Sequence, residues 1–190
     1  MKPLKDLCNL IEESKFTLIG YTFQDEIIKD ELISNFNYVE IKEIDSSFSF
    51  KSFLRNEKLN HILDSGKKFD YILLDLNDIL PTSYDPSKVF SRVGFIRNVL
   101  EKLRERIWVE GEPQYKIIVT SPVYKNSKEI STDNFAGGNQ PIYMSELAMV
   151  INGEKVKVIK NRNGENRDYI LYNTKQNVEF WLYLLYEHSK

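Results

Sequence analysis

Residues 137–173 read GGNQPIYMSELAMVINGEKVKVIKNRNGENRDYILYN, a run that passes from a loop through a short helix into strands. Gly137 and Gly138 free the backbone ahead of Pro141, whose fixed φ suits the first turn of a helix. Asn163-Gly164 stands between two alternating runs. It predicts a tight β-hairpin, because both central residues of the favoured two-residue turn need φ > 0. Such a turn sets Arg162 opposite Glu165, Lys160 opposite Arg167, Val158 opposite Tyr169 and Val156 opposite Leu171. Alternation then puts these side chains on one face, apolar at its base and basic toward its tip. Two cations directly opposite each other destabilise a sheet, so Lys160 and Arg167 make sense if an anion lies between or beyond them. A solvated hairpin tip is the competing reading.

Working outward toward the N-terminus, YKIIVT (115–120) has the continuous apolar character of a strand buried on both faces. Before it, Val89, Val93, Ile96, Leu100, Leu103 and Ile107 recur at helical spacing and predict the longest helix. DYILLDL (70–76) is a second buried strand, apolar up to Asp75. Phe50, Phe53, Leu54, Ile62 and Leu63 mark a further helix, and YVEIKEI (38–44) alternates as a strand. Thr22 stands three before Asp25, a capping-box-like start for a helix to about Asn35 with Ile27, Ile28 and Leu32 inward. FTLIGY (16–21) is a strand, and Leu4, Leu7, Cys8 and Ile11 share one face of a helix over 3–14. Beyond the quoted stretch, Val178, Trp181, Leu182 and Leu185 predict a closing amphipathic helix. Alternating strands and helices specify a single α/β domain over residues 1–190. It has a mostly parallel sheet, helices on both faces and an antiparallel C-terminal hairpin at one edge. In such sheets ligands bind beyond the carboxyl ends of the strands, here Gly20–Thr22, Glu43–Ser46, Asp75–Asp78 and Thr120–Pro122.

Composition narrows the function classes. With 190 residues, 42% of them hydrophobic, the chain is long enough for a proper core. A net charge of −2 confines any nucleic-acid surface to a local patch. The single cysteine rules out a disulfide within the chain, and the two histidines, His61 and His188, form no zinc-type spacing. No apolar run reaches membrane-spanning length, and the charged start MKPLKDLCNL does not fit a signal peptide. A cytoplasmic protein without membrane partners is the expectation.

Taken together, the parts over residues 69–173 resemble the back half of a RecA/DnaB-type ATPase core. They are a strand ending in Asp (YILLD), a long helix, a strand ending IIVTS, a loop closing on GGN, then PIYMSELAMVI and a strand carrying KxRxG. The chain is most similar to phage-type recombinases and hexameric replicative helicases. The resemblance implies a three-layer sandwich in which Asp75 matches the aspartate that orders water around Mg²⁺. Thr120 or Ser121 matches the residue that senses the γ-phosphate. It implies loops at about 77–92 and 122–138 that contact single-stranded DNA, with Arg92, Tyr124, Lys125 and Lys128, and with Arg167 on the hairpin, as candidate contacts. Lys160 and Arg162 match trans-acting fingers that reach a neighbouring subunit's γ-phosphate, where a guanidinium stabilises charge on the transferring group.

The chain departs from that family at the phosphate loop. ATP-hydrolysing members carry GxxxxGK[ST] after the first strand, where backbone N–H groups and the Lys cradle phosphate. Counting from Gly20, this chain reads GYTFQDEI, with Asp25 and Glu26 in place of the second Gly and the Lys. Two carboxylates there repel a triphosphate. The expectation is a pseudo-ATPase of DNA recombination or replication with no cofactor in its own site. ATP and Mg²⁺ enter only at an interface with a partner ATPase subunit or another copy, and single-stranded DNA is a further candidate partner. Two alternatives stay open: an adaptor of a helicase or recombinase that does not touch DNA, and, ranked last, a receiver-like signalling domain suggested by FDYILLDL and KIIVTS.

Overall fold

The structure, a computed structural model, describes residues 2–40, 69–76, 89–110, 112–123, 135, 139–153 and 155–170. The helix expected over 50–63, the C-terminal helix from Val178 and the hairpin partner Leu171 lie outside the described residues. The chain opens with α1 (Lys2–Glu13) and β1 (Phe16–Tyr21). A 3-10 turn (Phe23–Asp25) then leads into α2 (Glu26–Ser34). β2 (Tyr38–Glu40), β3 (Tyr71–Asp75) and the long helix α3 (Val89–Ile107) follow. A small ribbon of β4 (Trp108–Val109) and β5 (Glu112–Pro113) leads into β6 (Lys116–Pro122). The last described elements are α4 (Gln140–Met144), β7 (Leu147–Asn152), β8 (Lys155–Asn161) and β9 (Asp168–Ile170).

Among the described residues the main sheet has seven strands in the order β2-β3-β6-β1-β7-β8-β9. The first five run parallel, and β8 and β9 continue it antiparallel. The α/β reading with a mostly parallel sheet therefore stands. Strand alternation divides the core into two layers. Leu18, Ile72, Leu74, Ile117 and Val119 pack with Ile96, Val99, Leu100, Leu103 and Ile107 of α3. Ile19, Leu73, Ile118, Met149 and Val156 pack with Leu7 and Ile11 of α1 and Leu32 and Ile33 of α2. Each such fully buried Leu or Ile contributes about 2 kcal/mol of transfer free energy.

Two expectations need correcting. Ile27, expected inward on α2, is 60% exposed, and the buried position is Lys29 at 7%. The buried face of the helix is rotated because the ammonium of Lys29 has a carboxylate beneath it, described below. The hairpin register is also shifted by two residues. Val156 pairs with Tyr169 and Lys157 with Asp168, and the Val158 N–H donates to the Arg167 carbonyl at 3.2 Å. Lys160 is thus not opposite Arg167, and residues 159–166 form the connection in place of a two-residue turn. The Asn161 side chain explains it. Its Oδ1 accepts from the Asn163 N–H at 3.0 Å and its Nδ2 donates to the Glu165 carbonyl at 3.4 Å, an Asx-type arrangement that competes with ladder pairing. The tight reversal lies earlier, where Asn152 pairs with Lys155 and Gly153 takes φ 59°.

Candidate functional site: the carboxyl ends of β1, β3 and β6

Asp75 ends β3 in direct register with Thr120 of β6, and β1 lies on the other side of β6. Odd positions of β1 and β3 and even positions of β6 face α2, so Tyr21, Asp75 and Thr120 converge beneath that helix. The Asp75 Oδ2 accepts hydrogen bonds from the Thr120 hydroxyl at 2.7 Å and the Tyr21 hydroxyl at 2.9 Å. The Lys29 ammonium descends from α2 to 3.9 Å from the same oxygen, and lies 4.3 Å from the centre of the Tyr21 ring. Asp75 is 7% exposed, as is Lys29, so the pair is largely shielded from water. Lys29 also meets Asp30 at 3.2 Å and Glu26 at 3.7 Å, both at the solvent edge.

Asp25, which the resemblance sets in the second-glycine position, is buried as well. Its Oδ1 accepts from the Gly153 N–H at 2.9 Å, which ties the start of α2 to the β7–β8 turn. Its Oδ2 accepts from the Thr22 hydroxyl. This side-chain pair replaces the expected capping box, since the Asp25 side chain makes no cap bond to the helix. On the other face of the sheet, Gly20 lies against Phe135. A Cβ there would stand 2.7 Å from the ring and 2.7 Å from Val123. Glycine is required because the aromatic ring packs directly on the strand backbone. Ser121 is fully buried on that same face.

Gly20, Asp75, Thr120 and Ser121 are thus gathered at one end of three adjoining strands, as the sequence reading anticipated. The sequence missed Lys29, Tyr21 and Phe135. The recurrence of buried positions at 25, 29, 32, 33 and 36 carried the signal for Lys29, but a lysine there reads as the polar side of a helix. Within the cluster a lysine balances the aspartate, and the threonine and tyrosine hydroxyls donate to one of its oxygens. Among the described residues, no group of three or more His, Cys, Asp and Glu side chains is placed to hold a metal ion.

Lys160 and Arg162 lie elsewhere. Four strand spacings of about 4.8 Å separate β3 from β8, so roughly 19 Å divides them from Asp75 laterally. A β-bulge interrupts the β7–β8 ladder: Met149 pairs with Val158, but Ala148 pairs with Lys160. The extra residue, Ile159, switches Lys160 from the α1/α2 face to the α3/α4 face. There its ammonium donates to the carbonyls of Ile142 at 2.6 Å and Tyr143 at 2.9 Å, where a cation complements the end of α4. Burial, then the neighbouring Arg162 charge, lowers the Lys160 pKa, while Glu146 opposes the shift. The expectation that Lys160 shares a face with Val156 and Val158 is therefore overturned. Arg162 is exposed and makes no ion pair among the described residues. Its backbone N–H is anchored on the Glu146 carbonyl at 3.0 Å.

Arg167 is exposed and pairs with Glu165 at 3.0 Å, which raises its pKa. Arg92 lies in the first turn of α3, and Tyr124, Lys125 and Lys128 lie outside the described residues. No helix of the described residues is long and apolar enough to cross a membrane. Compared with known proteins, the chain matches no protein-family model and no curated protein sequence.

Proposed function

We propose that this chain is a RecA-like pseudo-ATPase domain of DNA recombination or replication, which assembles with an active ATPase or with other copies of itself. One observation carries the reading. The three strand ends that would have to serve one nucleotide adjoin in the sheet, and Lys29, Tyr21 and Thr120 already engage the Asp75 carboxylate that would serve the metal. Asp25, buried in place of a phosphate-loop glycine, adds a second negative charge that repels a triphosphate.

On this reading the chain contributes through its surface. Arg162 is the finger candidate, exposed and on a backbone fixed by Glu146, and Lys160 holds α4 beside it. Isothermal titration with Mg–ATP is expected to give no binding at millimolar concentration; a millimolar or tighter complex would overturn the filled-site reading. Mixed with a partner ATPase, Arg162→Ala is expected to alter turnover, and unchanged turnover with every partner tested would remove the finger role.

The second reading, an adaptor that does not touch DNA, draws support from Lys160 and Arg167. Both cations are engaged within the chain, which leaves less free positive charge on the hairpin. Binding to labelled single-stranded DNA separates the readings, because phosphate contacts weaken steeply with salt. Salt-sensitive binding favours the first, and no binding at low salt favours the adaptor.

A further inference from the structure

Val156 and Val158 of β8 pack in the layer of α1 and α2, so alternation turns Lys155 and Lys157 to the α3/α4 face. The bulge at Ile159 brings Lys160 to that same face, across from Ala148. Three lysines of one strand thus line one side of the sheet. Lysine often guards an edge strand against pairing with another chain. β8 has no such need, since β7 and β9 flank it.

The cations on this face differ in how they are held. Lys160 is fixed on the α4 carbonyls. Lys155 and Lys157 are exposed, as is Arg162 just past the strand. These three make no ion pair among the described residues. Opposing charge is sparse. The ladder sets Asp168 across from Lys157. Glu146, the carboxylate that acts on Lys160, accepts from the Lys15 N–H at 2.8 Å. Residues 155–167 hold five Lys and Arg against the single carboxylate of Glu165, in a chain of net charge −2. Lys155 and Lys157 recur about 6.7 Å apart along the strand, close to the step between phosphates of an extended single strand.

A second observation is independent of charge. Tyr143, in α4, is 66% exposed, and its carbonyl holds the Lys160 ammonium at 2.9 Å. The residue therefore stands beside the lysine row, largely open to solvent. Proteins that bind single strands without sequence preference pair a positive track for the backbone with aromatic rings on which bases stack. A duplex keeps its base faces stacked on one another and leaves such a ring unused.

We infer that the α3/α4 face of β8 is a track for single-stranded nucleic acid, with Lys155 and Lys157 on successive phosphates and Tyr143 stacking on a base. Arg162 adds to the positive field at the end of the track. These residues are separate from the loops that the sequence resemblance assigns to DNA. The inference rests on the DNA-linked part of the proposed function, and needs nothing from the Asp75 cluster.

Fluorescence anisotropy of the full chain with labelled thymidine and uridine strands of about 12 nucleotides, within the site sizes of single-strand binders, tests it. Saturable, salt-sensitive binding of at least one strand is expected, and the tighter of the two names the natural partner. Lys155→Gln/Lys157→Gln is expected to weaken binding about tenfold and to reduce the salt slope by about 1.4, two contacts at roughly 0.7 each. Tyr143→Ala is expected to weaken it about tenfold with the slope unchanged. Lys5→Gln/Lys102→Gln, which removes the same charge from α1 and α3, is expected to bind as the parent does. Full affinity in the Lys155/Lys157 variant would overturn this track while keeping nucleic acid as a partner. No saturable binding at low salt up to about 1 mM chain, beyond the range of non-specific nucleic-acid binding, would remove both. An equal loss in the Lys5/Lys102 variant, or equal affinity for a duplex or for polyglutamate, would also overturn the track.

Discussion

Lys29→Met strips the cation from Asp75 while keeping most of the side-chain volume in α2. At 3.9 Å and an effective dielectric of about 20, the attraction lost is on the order of 4 kcal/mol. Loss of the ammonium over the Tyr21 ring, at 4.3 Å, adds about 1 kcal/mol. Relief of the cost of burying the ammonium works in the opposite direction. Glu26 and Asp30, at 54% and 67% side-chain exposure, are well solvated and return little. The Tyr21 and Thr120 hydroxyls remain on the carboxylate. The expected net destabilisation is about 3 kcal/mol, at the low end for removing one partner of a buried pair. Asp75→Asn is expected to cost about 2 kcal/mol, since the amide oxygen still accepts one hydroxyl. The double variant is expected to be about 2 kcal/mol more stable than the sum of the two single effects. Urea unfolding of the four proteins at pH 7, followed by circular dichroism, measures the cycle. Repetition in 1 M salt, where the screening length is about 3 Å, should leave a buried coupling largely intact. Single effects below about 1 kcal/mol, or additivity within about 0.5 kcal/mol, would refute the ion pair as the element that closes the strand ends.

Three further outcomes follow from the packing and the titration. Gly20→Ala puts a methyl group 2.7 Å from Phe135 and Val123, and a loss of about 2 kcal/mol is expected in thermal or urea unfolding. The buried Thr17 hydroxyl has no hydrogen-bond partner among the described residues, so Thr17→Val is expected to stabilise the fold by about 1 kcal/mol in the same assay. Tyr71 titrates upward because of burial, then of the Glu12, Asp70 and Cys8 charges, from an unfolded value near 10 to about 12 in the fold. Its neutral form therefore contributes fully below pH 10, and that contribution is lost as pH rises through 12. The stability gap to Tyr71→Phe should narrow over that window. The tyrosinate absorbance missing from the variant should correspond to a group ionising near pH 12.

The fold was legible where burial alone decides structure. FTLIGY is apolar but for Thr17 and YILLD is apolar up to its closing Asp75, and β1 and β3 take those bounds. The periodicity of α3 was equally readable, and the gathering of Asp75, Thr120 and Gly20 followed from ligand geometry in parallel sheets. What escaped the sequence depends on pairwise geometry. Lys29 looks like a solvated residue until Asp75 is placed beneath it, and Ile27 then turns outward. The bulge at Ile159 depends on the registry of two strands at once, so the alternation of KVKVIK could not reveal it. Asn161 set the hairpin connection through side-chain bonds that an Asn-Gly count does not see.

The bulge also changes how the protein should come apart. The first half of β8 belongs to one helical layer through Val156 and Val158, and its second half belongs to the other through Ile159 and Lys160. The strand acts as a rivet through the sheet, so its release loosens both layers together. Amide hydrogens of β8 and α4 should accordingly exchange as one cooperative unit with those of α1, and a one-residue deletion at Ile159 should split that unit in two.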